Sequence, residues 1–520
     1  MPEPALKPKK SKRAASLVFA GIFLSRIFGF IRQRYVARYL GIGMAADAFN
    51  VAFRIPNILQ NLFGEGVLSA SFIPVYASLM ARGEEEEAGR VAGAAFAILG
   101  LVTSVLSVVG FFAAPLLIDV IAYGFEPATK QLAIPLVRIL FPGAGLLVMS
   151  AWCLGILNSH RRFFLSYSVS VLWNVAMIVP MLWFGMGTGE SRMAYIISIA
   201  SVAGSAIQFF AQVPSVLRLV PALRIGFFTH LESVRTVVRN FGPVFVSRGV
   251  VQISAYIDSM LASPIEGGVA MLGYTVNVYT LPVSLFGMSI SAAELPAMSS
   301  AIGTTEEIAA YLRNRLLSGL RRICFLVVPS AVAFLVLGDL ILGAIYQSRG
   351  GRFTAEGTLW GWGILAGSAV GLLAQTQGRL YSSTFYALKD TRTPLRFAII
   401  RISLTAVLGF ISARYLPAWL GLDPKWGIAG LTASAGVSGW IEFLLLRHAL
   451  GRRIGTVHMG AAYLARLWAA AIFAAAVAFA IKLSVSYRPE IRGVLALAPY
   501  CMIYLLLADP SQIRRYLRRR

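Results

Sequence analysis

The chain has 520 residues, of which 57% are hydrophobic and only 13% are charged, a balance that excludes a water-soluble globular domain. Its net charge of +24 does not point to nucleic acid, because the positive residues sit mainly in short loops between apolar runs. The three cysteines, Cys153, Cys324 and Cys501, lie in apolar segments and read as small buried hydrophobes, so neither a disulfide framework nor a metal site is expected. The four histidines lack ligand spacing.

In chain order, residues 1–14 form a basic N-terminus. The apolar run that follows contains arginines and no small-residue cleavage site, and reads as a retained first helix rather than a signal peptide. Apolar runs of 18 or more residues, each able to cross ~30 Å of hydrocarbon, then recur along the chain. The reading is an all-α polytopic membrane protein of about 14 transmembrane helices. They are placed near 15–40, 46–80, 89–122, 131–158, 164–186, 193–219, 237–263, 268–301, 317–346, 357–388, 393–415, 426–449, 461–485 and 491–509. The second and eighth are too long for simple spans, and Pro56, Pro74, Pro282 and Pro296 are expected to break or kink them.

Orientation follows from the loops. One alternate set, which includes KPKKSKR, NSHRRF, RNRLLSGLRR and the tail IRRYLRRR, holds about 28 Lys and Arg against about 10 in the other. Both termini are therefore expected in the cytoplasm. The acidic run 83–87 reads as a solvated turn in one cytoplasmic loop, and the basic, amphipathic stretch 220–236 as a linker on the cytoplasmic surface.

The informative stretch runs from Ser25 to Pro74, two apolar helices that carry Arg26, Arg32, Arg34, Asp47, Arg54 and Glu65. A charge at the bilayer centre costs roughly 2.5–3.5 kcal/mol on insertion scales, so several in one hairpin must face a shared interior. Arginine offers a planar, permanent fork suited to phosphate. Arg34 and Arg38 read as snorkelling anchors; Arg26 and Arg32, six residues apart, read as cavity-lining.

The sequences SRIFGFIRQ, GIGMAADAFNVAFRIPN and FGEGVLSASFIP resemble the first two helices of the lipid II flippases, the MurJ/MviN family. ALKDTRTPL, and GILN followed by Asn174, extend the resemblance. That family belongs to a superfamily that also holds drug extruders. The resemblance implies two six-helix lobes plus two C-terminal helices forming a lipid-filled groove.

The chain also looks doubled. FLSRIFGFI is echoed by FVSRGVVQI, and LFGEGVLSASFIP by LFGMSISAAELP, in the same order and at nearly equal spacing. Parallel repeats place a substrate site near the midplane between halves. The expected division is an N-terminal lobe at 15–219, the linker at 220–236 and a C-terminal lobe at 237–450. Two extra helices at 461–509 and a basic tail at 510–520 complete it.

The candidate diphosphate ligands are Arg26, Arg32 and Arg54, and the candidate cavity or coupling residues are Asp47, Glu65, Asp258, Asn277 and Glu294. The resemblance implies a monovalent-cation role for Asp258, in QISAYIDSM, but its companion positions here are Thr405 and Gly409. Pairing of Asp258 with Arg248 is the alternative. The family's arginines are matched by Asn277 and Gln60, and Glu294 stands in an apolar stretch. Asp390 and Thr391, before Pro394, are expected to cap a turn.

No HExxH, Walker loop or plausible GxSxG is present, so no enzyme and no cofactor is expected. The leading expectation is a flippase for lipid II in the bacterial inner membrane, coupled to a monovalent cation or the membrane potential. Its expected partners are the polyprenyl-diphosphate-linked glycan and membrane lipids, and a monomer is the expected state. The alternatives are a flippase for another polyprenyl-diphosphate glycan, a cation-coupled drug extruder, and a glycan polymerase or ligase. The last would need a large outside loop, which the sequence lacks.

Overall fold

In hydrocarbon every backbone N–H and C=O must be satisfied within its own segment, so long apolar runs fold as helices. The computed structural model describes residues 8–485 and 487–508, and among these every regular element is helical. The basic ends, 1–7 and 509–520, lie outside the described residues. The chain forms α1 (Pro8–Leu40), α2 (Met44–Ala81), α3 (Glu85–Ile121), α4 (Pro127–Ser159), α5 (Phe163–Phe184), α6 (Glu190–Leu219) and α7 (Glu232–Ala262). These are followed by α8 (Gly268–Ser299), α9 (Thr305–Tyr346), α10 (Ala355–Ala387), α11 (Arg392–Arg414), α12 (Pro424–Ile454), α13 (Ala461–Ser484) and α14 (Pro489–Ala508). Twelve are long and apolar enough to cross a membrane. The other two, α1 and α7, are also long helices, and with them the polytopic reading of about 14 helices stands.

Packing divides the chain into two units, Met1–Gly267 and Gly268–Arg520. Helix α7 packs within the first of these, against α2 and α3. The packing boundary therefore falls after α7, beyond the 220–236 stretch.

Breaks occur where the sequence places them. Helix α2 is four short helices, interrupted at Ile55–Pro56, at Gly64 and at Phe72 just before Pro74. In α8, Pro282 is followed by a π-helical turn, Val283–Met288, before Ser289–Ser299 resumes the α-helix with Pro296 inside it. Gly64 and Gly287 stand at the same place in the repeated LFG, so both halves loosen the helix there.

Residues 220–231 have no regular structure, and α7 begins at Glu232. The segment lies tightly along the start of α3: a Cβ on Gly93 would sit 1.8 Å from the Arg224 carbonyl oxygen. The acidic run opens α3, where Glu85, Glu86 and Glu87 stand in the first turn and meet the positive end of the helix dipole. Ser233 Oγ donates to Glu87 Oε1 at 2.6 Å, fastening α7 to α3.

In the second unit α14 docks on a helix defect. Pro329 has no N–H, which frees the carbonyl of Phe325 four residues earlier in α9. Tyr504 Oη donates to that oxygen at 2.6 Å, and Tyr500 Oη donates to the Pro329 carbonyl at 2.6 Å. Lys482 of α13 is ion-paired with Asp339 of α9 at 2.5 Å. Outward faces such as Phe112, Leu116 and Trp183 are apolar and exposed, as lipid-facing helices require.

Candidate substrate-binding site

In the first unit, α1 presents Arg32 to an aromatic pair. Its guanidinium carbon lies 4.5 Å from the Trp173 ring on α5 and 5.6 Å from the Phe53 ring on α2. Its Nη1 also points at Met177 Sδ, 3.9 Å away. The same α1–α5 seam is closed by Ser170 Oγ donating to Ser25 Oγ at 2.7 Å, and Asn174 Nδ2 donates back to the Ser170 carbonyl at 2.9 Å. A pocket opens behind the indole, lined by Phe53, Asn57, Leu147, Trp173, Ser201 and Ser205. Arg26, nearly two turns earlier on α1, is exposed.

Arg54 ends the first piece of α2 and is engaged differently. Its Nη1 donates to the Ala255 carbonyl at 3.1 Å and to Ser259 Oγ, both on α7, while Tyr256 Oη donates to the Arg54 carbonyl at 3.1 Å. Asp258, half-buried on the same helix, lies within electrostatic reach of that guanidinium. Asp47 is buried in the first turn of α2, and its Oδ2 accepts from the Gly267 N–H at 2.6 Å. The side chains of Glu65 and Arg248 lie outside the described residues.

In the second unit, Glu294 of α8 is buried and ion-paired to Arg315 at 2.9 Å and Arg322 at 3.6 Å, both on α9. Asn277 is exposed and donates to the Gly273 carbonyl of its own helix at 3.0 Å. Arg401 of α11 pairs with Glu442 of α12 at 2.9 Å, with Arg379 and Tyr279 in electrostatic range. Thr405 and Gly409 are buried. Among the described residues no three His, Cys, Asp or Glu side chains group closely enough to hold a metal ion.

The turns between α4 and α5 and between α10 and α11 carry the two quoted motifs. In the second, the Asp390 carboxylate accepts from the Arg392 and Thr393 N–H groups, both at 3.0 Å, and from Thr393 Oγ1 at 2.7 Å. It also pairs with Arg453 at 2.6 Å. These bonds, those of Thr393 first, hold its pKa below the usual carboxylate value. In the first turn, His160 Nε2 meets Tyr76 Oη at 2.9 Å, and burial, then the neighbouring Arg162, lowers the His160 pKa.

The family model described as lipid II flippase MurJ matches residues 36–492. The chain belongs to the lipid II flippase MurJ family. A probable lipid II flippase MurJ of Rhizobium meliloti (strain 1021) is 30% identical over 81% of this chain and 77% of its own length. Among solved structures, a lipid II flippase MurJ in an inward closed conformation aligns with a TM-score of 0.76 at 23% identity. That alignment covers 96% of this chain and 99% of the other. An inward-facing multidrug resistance MATE family transporter aligns at 0.61 and 19% identity, covering 82% and 95%, so the two share a fold.

Set against the MurJ resemblance, the structure gathers Arg32, Arg54, Asp47 and Asp258 in one unit but gives them different surroundings. Arg54 is tied to α7, Asp47 to a backbone N–H, and Arg32 to rings. Glu294 is joined to arginines of α9. The residues that sequence reasoning missed are Trp173 and Phe53, which carry no charge or motif to mark them. Their signal was helical: Phe53 stands beside Arg54, and Trp173 directly precedes Asn174.

Proposed function

We propose that the protein carries lipid II, the undecaprenyl-diphosphate-linked peptidoglycan precursor, from the cytoplasmic to the periplasmic leaflet by alternating access. Family membership supports the substrate class. The single observation that supports a diphosphate ligand within this chain is Arg32, a guanidinium on α1 held by the aromatic rings of Trp173 and Phe53. Two phosphates entering a low-dielectric site must exchange their water for fixed cations. Arg32, together with the exposed Arg26, would supply those cations. The polyprenyl tail would stay in lipid beside α13 and α14.

The chain is a multi-pass membrane protein of a flippase family rather than an enzyme family, and on this reading it makes and breaks no covalent bond. It works as a monomer in the inner membrane with both termini cytoplasmic, an orientation supported by the Lys/Arg asymmetry of the loops. Asp258, beside Arg54, is the candidate through which a monovalent cation or the membrane potential would bias the two states.

The deciding measurement is lipid II accessibility at the outer leaflet, per folded molecule, in cells whose only flippase is Arg26→Ala or Arg32→Ala. Loss in both, with normal membrane abundance, is expected, and Arg→Lys should be intermediate because charge remains but the fork is gone. Normal accessibility in both would sink the clamp. A second reading, a flippase for a different polyprenyl-diphosphate glycan, is favoured by Asn277 and Gln60. Both are exposed and uncharged where the resemblance implies arginine. Failure to rescue a strain depleted of its lipid II flippase would favour it.

A further inference from the structure

A cation buried at membrane depth usually comes with a carboxylate, which accepts both arms of a guanidinium and neutralises it. In this chain Glu294 neutralises Arg315 and Glu442 neutralises Arg401, each through a contact to the arginine Nε. Arg32 is handled otherwise: its guanidinium meets two ring faces and a thioether sulfur. An aromatic face attracts a cation through its quadrupole, and tryptophan does so best. It takes none of the strong acceptor geometry that a phosphate oxygen offers, so the N–H edge of the guanidinium stays usable.

The indole is itself immobilised. Trp173 Nε1 donates to the Ser201 carbonyl at 3.1 Å and to Ser201 Oγ at 3.3 Å, both on α6. Gly204, one turn further on α6, leaves it room: a Cβ there would come within 3.0 Å of Trp173 Cδ1. Phe53 stacks on the same indole at 5.8 Å with the planes 27° apart. Three helices thus fix the platform on which Arg32 rests.

We propose that Trp173 is the positioning residue for the Arg32 guanidinium, a ring platform that keeps the cation in place with no carboxylate to displace before its N–H groups take the diphosphate of a prenyl lipid. This rests on the reading of Arg32 as a diphosphate ligand. Trp173 touches no phosphate itself. A carboxylate in its place would have to be displaced by every incoming substrate; a ring yields at little cost because it holds no hydrogen bond from the arginine.

The test is calorimetric titration of the full-length protein in detergent with farnesyl diphosphate, a soluble prenyl diphosphate, with Arg32→Ala as control. Trp173→Met keeps apolar bulk without the ring and should weaken binding about tenfold, the loss of one desolvated cation–π contact. Trp173→Phe loses the Ser201 bonds but keeps a ring, and should stay within about threefold of the parent. Phe53→Leu, the second ring, should cost about threefold and gives the answer if Trp173→Met does not fold. A purely structural Trp173 predicts the opposite pattern: both Trp173 variants lower the melting temperature, and binding per folded molecule does not follow the ring. If Trp173→Met and Phe53→Leu bind like the parent while Arg32→Ala does not, the platform is wrong and the clamp survives. If Arg32→Ala also binds normally, the clamp itself is wrong.

Discussion

Arg161 and Lys389 occupy the same left-handed turn, one in each unit, with φ of 59° and 60°. The hydrogen bonds around them match one for one. Arg161 N–H reaches the Asn158 carbonyl and Arg162 N–H the Leu157 carbonyl; Lys389 N–H reaches that of Tyr386 and Asp390 N–H that of Phe385. Such a close on a helix C-terminus ordinarily uses glycine, since a side chain in this region costs roughly 1–2 kcal/mol. Arg161→Gly and Lys389→Gly should each raise stability by up to about 1 kcal/mol, whereas Arg161→Val should lower it by at least as much. Thermal unfolding of the solubilised protein reads both, and a drop with glycine would mean that the long basic side chain does more for the turn than its backbone costs.

Asp390 makes that second turn pH-sensitive. Its folded pKa lies below the unfolded value, so the stability it adds is complete above the unfolded pKa and is lost as pH falls through the folded one. Asp390→Asn should therefore reduce the melting temperature at neutral pH and flatten its fall in strongly acidic buffer. Parallel acid profiles for mutant and parent would remove Asp390 from the turn's energetics.

Glu294 should behave as a structural acid. Its arginine partners keep much of their solvent contact, with Arg315 37% and Arg322 64% exposed at the side chain. Removing the charge should therefore cost about 1–2 kcal/mol rather than the full price of a sealed pair. Glu294→Gln should lower the amount of folded protein and leave transport per molecule intact. Wild-type abundance with lost transport would return Glu294 to the cavity.

Topology is tested by reporter fusions. Fusions after Arg162, Arg322 and Arg520 should report cytoplasm, and one in the 264–268 turn should report the outside. A periplasmic C-terminus would be incompatible with an even number of crossings.

Much of this was legible because hydrocarbon leaves a chain so few options. Helix positions follow from apolar length, and the breaks in α2 and α8 from Pro56, Pro74 and Pro282, since a missing N–H has the same consequence in any fold. Partnership was not legible in the same way. Nothing local says that Arg54 reaches Ala255 and Ser259, or that Lys482 finds Asp339, because those contacts depend on which helix faces lie together. Glu294 is a further case: a buried charge announces that it has a partner, not that Arg315 and Arg322 supply it. Trp173 was harder still, since an aromatic residue in an apolar span looks like lipid-facing bulk until a cation is seen on its face.

The pairing of Tyr504 with the Phe325 carbonyl also bears on biosynthesis. Pro329 releases that carbonyl as soon as α9 is made, whereas Tyr504 follows only with α14, after four intervening helices. Through the synthesis of α10 to α13 the nascent second unit thus holds an acceptor that Tyr504 closes only when α14 is made. A chain without α14 would leave that oxygen without its tyrosine partner in a medium that offers no water, so α14 completes the hydrogen bonding of α9.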